Sequence, residues 1–174
     1  MVIIAYEGKT DEEFLNSLLD AYQLQKATYY NFEGKDNILN ISHPYYDELE
    51  INIKKIEKIL IIVDADNEKD INPNRGYEKS QEALKNLIKN LEFDVEITYH
   101  IMCDENKQGH LESFLLSVLD DEQKECIENF KKCYKYELTD KWVCNTFYKH
   151  QNHLFDYNHQ NFNELKQKLQ NLFN

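Results

Sequence analysis

The chain opens on five apolar residues, Val2 to Tyr6, with no polar interruption, the pattern of a strand buried on both faces of a parallel sheet. The run stops at Glu7-Gly8. Thr10 then reads as an N-cap, with Glu13 three residues on closing a capping box. Phe14, Leu15, Leu18, Leu19 and Tyr22 recur at helical spacing, so a helix is expected from Asp11 to Leu24.

The alternation continues. ATYYNF, residues 27–32, is a second candidate strand and again runs into Glu-Gly-Lys, at Glu33 to Lys35. DNILNI starts a short helix or loop, continued less clearly by HPYYDELEINIKKIEK. ILIIVDAD, residues 59–66, is the strongest strand: five consecutive aliphatic residues ending in acids. Leu84, Leu87, Ile88 and Leu91 give residues 76–91 the stripe of an amphipathic helix. DVEITYHIMC, residues 94–103, reads as a fourth strand, followed by helical HLESFLLSVL and a helical stretch rich in lysine and glutamate. Near the end, Phe162, Leu165, Leu169 and Leu172 share one helical face.

Strands alternating with helices imply parallel strands joined by right-handed crossovers. The expected architecture is an open, mostly parallel, Rossmann-like α/β sheet with helices on both faces and a helical C-terminal extension. Residues 1–119 form its core, and residues 120–174 pack on the same domain. Ligands of such sheets bind outside the carboxyl ends of the strands, where Glu7, Gly34, Asp64, Asp66 and the 104–112 loop all fall.

Composition narrows the chemistry. A 174-residue chain with 41% hydrophobic content can bury one sizeable core. No run approaches the roughly 18 apolar residues of a membrane span, and four irregularly spaced cysteines argue for reduced thiols, so a cytoplasmic protein is expected. A zinc site from Cys133, Cys144, His150 and His153 would lack any C-x-x-C pair. The net charge of −12 argues against a non-specific nucleic-acid-binding module, since phosphates must then be drawn by local lysines or metal ions.

Gly8-Lys9-Thr10 imitates the end of a phosphate loop, but the glycine that motif needs five residues earlier is replaced by Ile3, inside the first strand. Asp64-Ala65-Asp66 carries more. In extended backbone, residues i and i+2 point the same way, so both carboxylates turn toward one hard cation. With the first strand beside the third, Glu7 faces them, and three gathered carboxylates stay ionised most readily around a cation. Lys9 and Lys35 are candidate phosphate contacts, and His110 the one histidine near the rim. His100, His150, His153 and His159 are expected to pack or to be solvated. In the aromatic tail TFYKHQNHLFDYNHQNF, core packing is favoured over base stacking.

Glu7-Gly8 after the first strand and Asp64-Ala65-Asp66 after the third resemble the TOPRIM domain, the metal-binding unit of topoisomerases, bacterial-type primases, recombination mediators and overcoming-lysogenization-defect (OLD) nucleases. VIIAYEGKTDEEFL is similar to that family's opening strand, acid, glycine and helix, and the resemblance spans residues 1–119. It implies Glu7 as general acid or base, Asp64 and Asp66 as ligands of Mg²⁺ or Mn²⁺, and, by analogy with OLD-type and small stand-alone TOPRIM-like proteins, Glu112 as a further acid. No tyrosine stands out as a strand-passing nucleophile, so topoisomerase or primase activity is not expected. The expected function is Mg²⁺-dependent phosphoryl transfer, nuclease-like, on nucleic-acid phosphodiesters. The alternative is a non-catalytic regulator or subunit that binds a protein partner in a nucleic-acid-processing or defence complex, and a third is a flavodoxin-like small-molecule binder without metal.

Overall fold

A computed structural model describes residues 1–67, 74–135, 138–149 and 155–174. Four parallel strands, β1 (Val2–Tyr6), β2 (Thr28–Asn31), β3 (Lys58–Asp64) and β4 (Glu96–Met102), form one open sheet in the order β2-β1-β3-β4. Helices connect them: α1 (Lys9–Ala21), then α2 (Lys35–Leu39) and α3 (Pro44–Ile51), then α4 (Tyr77–Leu91). After β4 come α5 (Leu111–Ser117), α6 (Asp121–Cys133), α7 (Asp140–Lys149) and α8 (Asn163–Leu172). The fold is the Rossmann-like α/β class read from the sequence.

The unbroken apolar runs have a direct cause. Successive strand residues face opposite sides of the sheet, and both sides are covered. Ile4, Tyr6, Leu60 and Ile62 pack with Phe14, Leu18, Phe114, Leu165 and Leu169 on the α1, α5 and α8 side. Ile3, Ala5, Ile61 and Val63 pack with Ile38, Leu49, Leu84 and Leu87 on the α2, α3 and α4 side. The expected C-terminal face is buried, with Phe162 lying 4.9 Å from Phe114 between ring centroids. Phe155 is buried as well, so described aromatics of the tail pack; residues 150–154, which include His150 and His153, lie outside the described residues. Among the described residues no helix is long and apolar enough to cross a membrane.

Two local expectations are corrected. Helix α1 starts at Lys9 rather than Asp11, because Gly8 is its N-cap and Asp11, not Glu13, closes the capping box: the Asp11 carboxylate accepts from the Gly8 amide at 2.7 Å. The two helical stretches read after β4 are α5 and α6, divided where Asp120 caps α6 by accepting from the Gln123 amide at 2.7 Å. Strand β3 ends at Asp64, two residues short of the expected limit, and that shortening redirects the second acid of Asp-x-Asp.

Candidate functional site

In the β1–β3 register Ala5 pairs with Ile61, so the residue just past β1 comes alongside the end of β3. Glu7 is that residue. Its Oε1 accepts a hydrogen bond of 2.7 Å from the Asp64 amide. Asp64 in turn accepts at Oδ1 from the Leu111 amide at 2.9 Å, where α5 begins. Two carboxylates from adjacent strand ends are thus held by backbone donors rather than by lysine or arginine.

Two further acids share this space. Asp11, in the first turn of α1, and Glu112, in the first turn of α5, are both buried. With Glu7 and Asp64 they line a cleft of about 770 Å³ over the carboxyl ends of β1 and β3. Its other walls include Lys9 and Thr10 of α1, Glu33-Gly34 after β2, His110, and Thr139, Asp140 and Lys141 at the start of α7.

Burial dominates the electrostatics. It raises Glu7 to about 7, with Asp66 and Asp11 adding to the shift and the Asp64 amide and Lys35 opposing it. Asp11 rises to about 6, again through burial first, with the Glu112 charge adding. Asp64 is pushed well above the ordinary carboxylate range by burial and then by Glu7, Asp11, Asp66 and Glu112. These acids repel one another in a poorly hydrated place, the condition under which a cation or a proton is taken up.

Asp66 is elsewhere. Its φ of 62° is left-handed, so the i and i+2 argument for extended backbone does not apply to it. Its backbone pairs with Gly109, N–H to O at 2.6 Å and 3.0 Å in the two directions. Its carboxylate accepts from Arg75 Nη1 at 2.6 Å and from the ammonium of Lys35. Lys35 is correspondingly not an open phosphate contact: its side chain is buried, and Nζ also donates to Ser80 Oγ at 3.0 Å and lies 3.4 Å from the Ala65 carbonyl.

Lys9 is exposed at the cleft, as a phosphate contact requires. His110 is the N-cap of α5, and its Nδ1 lies 3.2 Å from Glu112 Oε2. Asp11 and Lys141 were not expected in the cleft. A signal for Asp11 existed, since Gly-x-x-Asp is a capping box once glycine is admitted as N-cap. Nothing in the sequence linked Lys141 to residues more than a hundred positions away.

The donor set is hard oxygen throughout, which suits Mg²⁺ or Mn²⁺. Among the described residues no three His, Cys, Asp or Glu side chains converge as a ready-made ligand group. The fit therefore rests on Glu7 and Asp64: Mg²⁺ needs only one or two carboxylates and keeps several waters. Glu112 and Asp11 line the same cleft.

A family model described as protein of unknown function (DUF3226) matches residues 1–174, and the chain belongs to that family. No curated protein and no solved structure gives a match.

Proposed function

We propose that this protein is a TOPRIM-like, Mg²⁺-dependent phosphoryl-transfer protein, nuclease-like in acting on nucleic-acid phosphodiesters in the cytoplasm. The observation that carries the reading is the 2.7 Å contact of Glu7 with the Asp64 amide, which sets two acids side by side at the carboxyl edge of a parallel sheet. Asp64 would hold the ion, Mg²⁺ or Mn²⁺, with Glu7, Glu112 and Asp11 orienting its waters. Asp66, engaged by Lys35 and Arg75, supports the loop behind them. When bound, the ion supplies electrostatic stabilisation to charge developing on phosphate oxygens.

The chain's own residues supply the rest. A carboxyl group raised to about 7 is matched to proton exchange at neutral pH, which suits Glu7 to general acid or base work on nucleophile or leaving group. Lys9 offers a cation to the phosphate at the cleft's edge.

The test is a Mn²⁺ titration followed by thermal unfolding of the parent, Asp64→Asn and Glu7→Gln, with single- and double-stranded nucleic acids as substrates. Stabilisation of the parent, its loss in Asp64→Asn and metal-dependent cleavage are expected. A parent whose midpoint ignores Mn²⁺ overturns the reading. Metal binding without cleavage favours the second reading, a non-catalytic regulator or partner-binding subunit, which the net charge of −12 supports by opposing long nucleic acids.

A further inference from the structure

We propose that the cleft takes a short single-stranded segment or strand end, contacted at two phosphates by Lys9 and Lys141, and does not bind continuous duplex. This deepens the phosphodiester reading of the cleft and rests on it.

Size is the first ground. A volume of about 770 Å³ lies inside the roughly 300–1,000 Å³ of pockets that enclose small ligands, the scale of a few nucleotides rather than of a helical turn. The cleft is also bounded on two sides. Lys9 begins α1 on one wall, and Thr139 to Lys141 at the start of α7 form another.

Charge is the second. Polymer binding draws its affinity from many Lys and Arg contacts to phosphates, with roughly six to ten neutralised in a strong complex. Among the described residues lining the cleft the lysines are Lys9 and Lys141, set among Glu7, Asp11, Glu33, Asp64, Glu112 and Asp140. Among the described residues, Lys35 and Arg75 near the cleft are committed to Asp66. A phosphate more than one or two positions from the reacting centre would therefore meet carboxylates, on a protein whose net charge of −12 already repels it.

The two lysines sit where such a ligand needs them. Lys9 follows Glu7 by two residues at the mouth of α1, and Lys141 lies near enough to Asp11 for its charge to act on that carboxylate. Both lysines line the cleft that holds the four acids.

Binding, not turnover, tests this. With Ca²⁺ as the divalent ion, chemical-shift and anisotropy titrations would compare a thymidine trinucleotide, an oligothymidylate of about twenty nucleotides, and a duplex of similar length. The trinucleotide should bind within a few-fold of the long single strand, and the duplex at least about tenfold more weakly. Two phosphate contacts on single strands predict a loss of about sevenfold between about 50 and about 200 mM salt. Lys9→Met and Lys141→Met should each cut that salt dependence by about half. A duplex bound as tightly as the single strand, a salt loss on the order of a thousandfold, or no binding of any probe to protein that still takes up Mn²⁺ overturns the proposal and leaves the metal site standing. Failure to take up Mn²⁺ removes the reading beneath both.

Discussion

Lys35 and Asp66 form an ion pair whose ammonium is wholly withdrawn from solvent while the carboxylate is 22% exposed. The asymmetry sets what each residue is worth. Asp66→Ala strands a buried charge, and breaking a buried pair in that way costs about 3–5 kcal/mol. Lys35→Met leaves Asp66 with Arg75 at 2.6 Å and with water, so about 1–2 kcal/mol is expected. Urea unfolding of the two variants checks the order, and a larger loss for Lys35→Met would contradict it.

Glu7 and Asp11 make the stability depend on pH. Burial raises them to about 7 and about 6, above the unfolded values of about 4.3 and 3.9. A carboxyl group shifted upward favours folding fully below its unfolded pKa, and that contribution disappears as pH climbs through the folded value. The metal-free protein should therefore lose stability from about pH 4.5 to about pH 7, by on the order of 3 kcal/mol through Glu7. Buried His100, whose pKa is lowered by desolvation, acts in the opposite sense as pH falls. The difference between parent and Glu7→Gln isolates the glutamate: it should widen in the variant's favour across this window and shrink when Mn²⁺ is added. A difference independent of pH would refute the assignment.

Asp11 has two jobs that substitutions separate. Asparagine keeps an acceptor for the Gly8 amide, 2.7 Å away, whereas alanine does not. Asp11→Ala should be less stable than Asp11→Asn by about 1 kcal/mol. Both variants remove the charge facing Glu112, so both should weaken Mn²⁺ binding by about tenfold, the lower end of the range for groups that orient metal ligands. Calorimetric titration measures the second effect, and equal Mn²⁺ affinity in all three proteins would remove Asp11 from the site.

Gly109 fixes the turn on which Asp66 leans. Its φ is 87°, and a Cβ there would lie 2.3 Å from Ser113 Oγ and 2.6 Å from Ser113 Cβ. The hydroxyl can rotate away, but the β-carbon cannot. Gly109→Ala should cost about 2–3 kcal/mol in thermal unfolding, combining left-handed strain with the clash. Adding Ser113→Gly should restore part of the loss, and no recovery would mean that the contact is not the cause.

Much of the frame was legible in local pattern. Ile3 and Ile4 point to opposite faces and both are buried, so an uninterrupted apolar run was the correct mark of an internal parallel strand. The stripe at Phe162, Leu165, Leu169 and Leu172 likewise found its buried face. The pairing of β1 with β3, expected from topology, is what brings Glu7 to the Asp64 amide. The expectations that needed side-chain direction fared differently. Asp64 and Asp66 were read as parallel, yet the left-handed turn at Asp66 sends its carboxylate to Lys35 and Arg75.

By itself, then, the sequence determined the four strands, the helices around α1, α4, α5, α6 and α8, their alternation, and that acids end the two central strands, because periodicity depends on neighbours a few residues apart; α7 was not read from it. Tertiary structure alone decided that Lys35 is an internal anchor, that Asp11 joins Glu112 in one cleft, and that Lys141 reaches it from the far end of the chain. Those outcomes depend on where a crossover returns and how a turn is wound. Free energies of long-range packing and desolvation settle both, and they leave no periodic trace in the order of residues.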